Sequence, residues 1–297
     1  MTNPLYLGLL GVAVINVSLA SILFRLAAVH GFVAASYRLI FSSALTLMIL
    51  LLLAATGKHG WPPRLSSWRD IGVMALSGIM LALHFDLWLM SLTHLNVAPS
   101  VLIVDSYPAV LALVGWFVFR EKYTATQIVG ALVAMVGVFA MMMYSSRESL
   151  APPGGDPVLG AVLAFGGMLA VAAYFSIGRG LRSRYSTWEY TLVVYTVAAI
   201  TSVILTRLLG EPLTGYELRS YIYLLLMALL PMIGGHTIVN FLLGRMSLLA
   251  STVPLLGEPV GAALLAWALL GEPIDVVTAV LMALVLVGIW MVVSREA

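Results

Sequence analysis

The chain has 297 residues, 62% of them hydrophobic and only 9% charged, where an ordinary soluble domain carries roughly a quarter of its residues charged. That balance excludes a water-soluble globule, and a formal net charge of +2, with the basic residues scattered through the connections, argues against a nucleic-acid partner. The absence of cysteine removes disulfides, thiolate zinc sites, thioether-linked haem and a thiol nucleophile from consideration.

A spanning helix needs about 20 apolar residues, so this length leaves room for roughly ten crossings and short connections. In chain order, apolar stretches run Leu5–Ala28, Val33–Ala55, Ile71–Leu92, Ala98–Phe119 and Ala125–Tyr144. The first of them lacks the basic start of a cleaved signal peptide, its first basic residue being Arg25 near its far end, and is expected to be a retained helix. The Pro/Gly-rich connection Ser145–Pro157 follows, and then Val158–Ile177, Trp188–Leu209, Tyr221–Leu243, Ser251–Leu270 and Ile274–Val293. In hydrocarbon every backbone amide must be satisfied within its own helix or by a closed barrel, and these runs are long and lack period-two alternation. The expected fold is an all-α membrane protein with ten transmembrane helices.

Orientation follows from Lys and Arg. With the N-terminus inside, the inner connections hold Lys58, Arg64, Arg69, Arg120, Lys122, Arg179, Arg182, Arg184, Arg245 and Arg295, against Arg25, Arg147, Arg207 and Arg219 outside. Both termini are therefore expected in the cytoplasm. Trp61, Trp68 and Trp188 lie near helix ends, where interfacial anchoring is the default role.

The two halves are related. Laying Tyr107-Pro108 over Glu258-Pro259 also superposes Trp116 on Trp267, Glu121 on Glu272 and Gly137 on Gly288, at one constant offset without a gap. A small change of register lays His84 over His236. Because each half has an odd number of helices, the duplicates, residues 1–147 and 148–297, sit upside down relative to one another. Inverted repeats are the usual construction of secondary carriers, with the substrate site near the midplane between the repeats.

The segments Tyr107–Glu121 and Glu258–Pro273 resemble the two EamA repeats of the drug/metabolite transporter superfamily, and the likeness covers nearly the whole chain. Within that family the chain is most similar to aromatic amino acid exporters of the YddG type. The resemblance implies solute transport, mostly export, through a central cavity lined by the first, third and fourth helices of each half. It departs from the family pattern at Arg120-Glu121-Lys122, where the second repeat has Gly271-Glu272-Pro273. Small multidrug-resistance relatives carry a proton-binding acid in the first helix, and this first helix has none.

Charges and imidazoles inside a span usually face the bundle interior or a wet cavity. His84 and Trp88 share one helix face four residues apart, as do His236 and Asn240 in the equivalent helix. For the histidines, substrate hydrogen bonding stands beside a plain interhelical bond, and for Trp88, stacking on a substrate stands beside helix packing. Tyr107 and Glu258 precede Pro108 and Pro259, each expected to kink its helix and free a carbonyl near Val104 and Leu255 for a substrate ammonium group. Glu258 is either that ammonium site or a carboxylate kept protonated or paired with a histidine. Asp86 and Asp105 are expected to turn away from these candidates, and a buried pairing with Arg38 stands beside a substrate contact. Pro231 with Gly234-Gly235 marks a hinge or a close helix crossing. Asn16, Ser18 and Tyr174 are further cavity candidates. No metal-ligand spacing, ATP-binding motif or catalytic constellation is present, so no metal, cofactor or catalytic residue is expected.

The expected function is a secondary transporter in a bacterial-type inner membrane. It exports amino acids, aromatic ones preferred, by alternating access as a possible monomer, with the lipid bilayer and a small-molecule substrate as its partners. A purine-like compound, a short aliphatic amino acid or a cationic drug is the alternative substrate class.

Overall fold

The structure is a computed structural model describing residues 3–60, 63, 67–145, 151–270 and 273–296. Among the described residues, ten helical segments are long and apolar enough to cross a bilayer. They are α1 Pro4–Ala27, α2 Gly31–Ala55, α3 Trp68–Ser91, α4 Pro99–Phe117, α5 Ala125–Tyr144, α6 Pro157–Leu181, α7 Thr187–Leu208, α8 Leu218–Leu243, α9 Leu248–Leu265 and α10 Val276–Val293. Where these reach beyond the apolar runs, polar capping is the reason. The Asp156 carboxylate accepts from the Val158 and Leu159 amides at 2.9 and 3.2 Å and starts α6, and Ser186 and Glu189 close a capping box at the start of α7. Trp61, Arg64, Arg147, Gly271, Glu272 and the boundary at 147/148 lie outside the described residues.

Helix neighbours exchange when five is added to each number. α3 packs on α6 as α1 packs on α8, α3 on α7 as α2 on α8, and α2·α7 and α5·α10 map onto themselves. This is the pattern of two five-helix units with equivalent packing. The even number of spans brings both termini to one end of the bundle. Trp116 and its repeat partner Trp267 are 62% and 57% exposed and face outward to lipid, so their match reflects a shared surface position rather than a shared site.

Several spans are irregular. α1 is interrupted at Ser18–Leu19 and α4 at Asp105–Ser106, α9 tightens to a 3-10 turn over Val253–Gly257, and α8 widens to a π-helix over Ala228–Thr237. α4 and α9 depart from regular helix just before Tyr107-Pro108 and Glu258-Pro259, but by a different route from a proline inside a helix. Pro108 and Pro259 lie in the first turn of the helices that begin at Tyr107 and Glu258, where a missing amide costs nothing. The Leu255 carbonyl is not free either, since it accepts the Glu258 amide. Pro231 lies inside the π-helix, a wide turn that accommodates the absent donor. Beside it α1 crosses closely: a Cβ added to Gly234 would stand 2.8 Å from Asn16, and one added to Gly235 would stand 2.6 Å from Val17 Cγ1.

The end of the bundle that carries the termini is closed by polar contacts between the halves. Glu121 pairs with Arg179 of α6 at 2.8 Å, accepts from the Leu248 amide at the start of α9 at 2.9 Å, and accepts from the Tyr123 hydroxyl at 2.8 Å. Burial and that bond hold the Tyr123 phenol well above its usual pKa range. Glu296 adds a second tie, accepting from the Ser247 amide and hydroxyl and from Gln127. Arg182, donating to Asn240 and Tyr185 carbonyls and to Thr187, is lowered to about 10 by burial and then by Arg245, and so stays charged near neutrality. Replacing Glu121 by Ala strips an amide cap and an ion pair together. It is expected to lower stability by about 2 kcal/mol, and Glu121→Gln, which keeps the cap, by about half as much. Thermal unfolding in detergent checks this, and equal midpoints for both variants and the parent would count against the closure.

Candidate functional site

At mid-depth the bundle holds a small cavity of about 40 Å³, room for roughly three waters at 10–15 Å³ each. Its walls are Val17 and Ala20 of α1, Arg38 of α2, His84, Phe85 and Trp88 of α3, Val101, Val104 and Asp105 of α4, His236 of α8 and Glu258 of α9. The helix breaks border this space: Ser18, at the interruption of α1, donates to the Glu258 carbonyl at 3.0 Å, fixing the point where α9 resumes its regular turn.

Helix α3 presents His84 and Trp88 with their rings parallel within 8° at 6.3 Å. The close passage of α6 at Gly167 sets them in place: a Cβ there would stand 3.3 Å from the His84 carbonyl and the Trp88 amide. His84 Nδ1 lies 3.1 Å from the Gly167 carbonyl, which only accepts, so Nδ1 carries a proton. The Trp88 indole N–H is buried without a partner. From the other half comes His236, 6.5 Å from His84 between ring centroids and stacked on Phe175 at 6.0 Å. Its Nδ1 is likewise without a partner. Glu258 completes the wall.

Tyr107 and Asn240 are not brought to this cavity. Tyr107 is 5% exposed and packs on Phe175 at 5.7 Å. Asn240 is fully buried, donating to the Tyr174 hydroxyl and, at 2.8 Å, to the His236 carbonyl. Tyr174 lies behind the wall with it. The break at Asp105–Ser106 explains the exchange on α4: it rotates the chain, so Asp105 faces the cavity and Tyr107 faces α6.

The expected pairing of Arg38 with Asp86 or Asp105 is absent. Asp86 accepts from Ser202 of α7 at 2.8 Å, in a polar cluster where Ser202 and Thr206 meet Ser36. Arg38 is 1% exposed and lies over the Phe85 ring at 4.1 Å, with Nε and Nη1 lacking partners. An arginine at mid-membrane costs about 2.5–3.5 kcal/mol on insertion scales, offset in part by the ring and by the carboxylates of the cavity. Phe85 was also missed as a wall residue. The signal for Arg38 was present in the sequence, since a lone deep arginine marks a site by default.

Two further features define the surroundings. α6 lines no part of the cavity while α2 does, which departs from the helix set implied by the family resemblance. Asp105 also borders a separate, almost wholly apolar pocket of about 450 Å³ between α4, α5 and α9, lined by Leu102, Ile103, Leu132, Met135, Phe139 and Leu256 among others. Among the described residues, no group of three or more His, Asp or Glu could hold a metal ion.

The chain matches the model of the EamA-like transporter family over residues 3–143 and again over 158–294. An uncharacterized transporter of Clostridium kluyveri is 20% identical over 223 residues, 74% of this chain and 71% of the relative. A solved crystal structure of a protein superposes with a TM-score of 0.79 at 17% identity, covering 96% of this chain and 95% of its own, and thereby shares the fold. With two family matches that together span nearly all of a ten-helix bundle closed around a polar cavity, the chain belongs to the EamA-like transporter family and is a multi-pass membrane transporter.

Proposed function

We propose that this transporter exports amino acids, aromatic ones preferred, by alternating access of two inverted repeats, residues 1–147 and 148–297, about the central cavity. The observation that carries the reading is the convergence of His84 and Trp88 of one half with His236 and Glu258 of the other on one small space. The carboxylate suits a substrate ammonium group, the imidazoles offer hydrogen bonds, and the indole offers a stacking face. At about 40 Å³ the cavity is far smaller than an amino acid, so admitting a substrate requires the halves to separate. Pro231 and its π-helix, together with the breaks before Pro108 and Pro259, are the hinges in this scheme. The Lys/Arg bias supports termini in the cytoplasm of a bacterial-type inner membrane, with the ion-paired end as the cytoplasmic closure.

The test is uptake of radiolabelled amino acids into liposomes holding the purified protein, across aromatic, aliphatic and charged compounds, with and without a pH gradient. Saturable movement of phenylalanine or tryptophan is expected, and no movement of any amino acid would sink the substrate assignment. Trp88→Ala is expected to slow transport about tenfold, the equivalent of roughly 1.4 kcal/mol, and His84→Ala to slow it by about as much, with insertion and folding intact. Normal transport by both variants would remove α3 from the substrate path.

A second reading has one observation in its favour. The apolar pocket bordered by Asp105 suits an amphipathic cationic drug approaching from the bilayer, and competition of drug cations against amino acid uptake distinguishes the two.

A further inference from the structure

We infer that Arg38 is the residue that recognises the carboxylate of the transported solute, which makes the site selective for compounds bearing both a carboxylate and an ammonium group. The inference rests on the amino acid reading above and assigns its second recognition element. Arg38 is 1% exposed, yet its Nε and Nη1 donate to nothing. A guanidinium has five N–H donors and no acceptor, and it is always charged. Buried donors without partners are rare in folded proteins and point to a missing ligand.

The surroundings of Arg38 specify what that ligand is. Among the described residues no ion pair joins Arg38 to a carboxylate, although Asp105 and Glu258 border the same cavity. Asp86, one residue beyond the ring that Arg38 covers, accepts from Ser202 through Oδ1 and is not part of the cavity wall. The guanidinium Cζ lies over the Phe85 ring at 4.1 Å, which holds its position, and its unpartnered Nε and Nη1 offer donors to a planar, bidentate acceptor. A carboxylate is such an acceptor. The unpartnered indole N–H of Trp88 borders the same cavity and supplies a further donor. An α-amino acid carries its two charges on groups bonded to one carbon, so one molecule, admitted as the halves separate, faces Arg38 with one group and Glu258 with the other. A monoamine or a monocarboxylate would leave one of these protein charges uncompensated.

The experiment uses the full-length protein in liposomes, with labelled phenylalanine as the transported probe and unlabelled phenylalanine, phenylalanine amide, phenethylamine and 3-phenylpropionate as competitors. The parent protein is expected to recognise phenylalanine at least tenfold better than the amide, the amine or the acid. In Arg38→Gln the half-saturation for phenylalanine is expected to rise at least tenfold, with discrimination against the amide falling to about twofold. Arg38→Lys is expected to recover part of that discrimination, whereas a purely structural arginine would leave the ratio between competitors unchanged. Discrimination retained in Arg38→Gln overturns the inference. Should that variant not fold, the parent protein alone decides: equal inhibition by phenylalanine and its amide overturns the inference while amino acid transport stands. Failure of the parent to move any amino acid overturns both.

Discussion

Gly288→Leu is expected to abolish the folded protein. Helices α5 and α10 cross with their backbones in contact: a Cβ at Gly288 would stand 2.4 Å from the Ala134 amide nitrogen and 2.6 Å from the Gly130 carbonyl oxygen. From the other side, a Cβ at Gly130 would stand 2.6 Å from Met291 Cβ and 2.8 Å from the Gly288 carbonyl. No side-chain rotation relieves contacts with backbone. In a membrane, helix association depends on such close packing because lipid tails are as apolar as leucine, which removes the hydrophobic drive between helices. A leucine here forces the pair apart along its length, a loss of more than about 4–5 kcal/mol, comparable to the whole stability of many domains. Gly288→Ala is expected to retain a folded fraction with a clearly lower thermal midpoint. Gly11→Ala, at a position with no atom within 4 Å of the new Cβ, is expected to leave the midpoint unchanged. The recovery of monodisperse protein after detergent extraction reads all three. A normal yield for Gly288→Leu would show that α5 and α10 can separate without loss of the fold.

That crossing also shows how much of the molecule is legible in the sequence. Gly137 and Gly288 match in the repeat alignment, and both lie in this interface, Gly137 against Val285 and Gly288 against Ala134 and Gly130. Duplication preserved a steric requirement, so it could be read without a structure. The ten spans are equally legible, because hydrocarbon leaves the backbone no alternative to helix. What the sequence conceals is where a span departs from regular geometry. Counting along an unbroken helix puts Asp105 and Tyr107 on different faces, but the break at Asp105–Ser106 decides which of them meets the cavity. Partner choice is hidden for a related reason. Asp86 and Arg38 look like natural partners until Ser202, on a distant helix, takes the carboxylate. Short-range periodicity did place His84 and Trp88 on one face, because α3 runs without interruption from Trp68 to Ser91.

Glu258→Gln is expected to reduce amino acid transport at least tenfold while leaving the fold in place. The amide has nearly the shape of the carboxylate, and the contact that anchors this point of α9 runs from the Ser18 hydroxyl to the Glu258 main-chain carbonyl, which the substitution does not touch. What changes is charge. A hydrogen bond from an ammonium group to a carboxylate contributes about 1.5–3 kcal/mol, against about 1 kcal/mol for a neutral pair, and in a small cavity inside the bundle salt screens the difference little. Arg38 then faces Asp105 as the other carboxylate of the cavity wall, so the net charge of the site shifts toward positive. The ammonium end of the substrate is therefore opposed as well as released. Half-saturation for phenylalanine is expected to rise while the thermal midpoint moves by no more than a few degrees, the scale of a change near 1 kcal/mol. Recognition of 3-phenylpropionate, which has no ammonium group, is expected to fall less or to improve. A variant that transports phenylalanine at the parent rate would place Glu258 outside the substrate path, and one that loses both compounds equally would make its role structural.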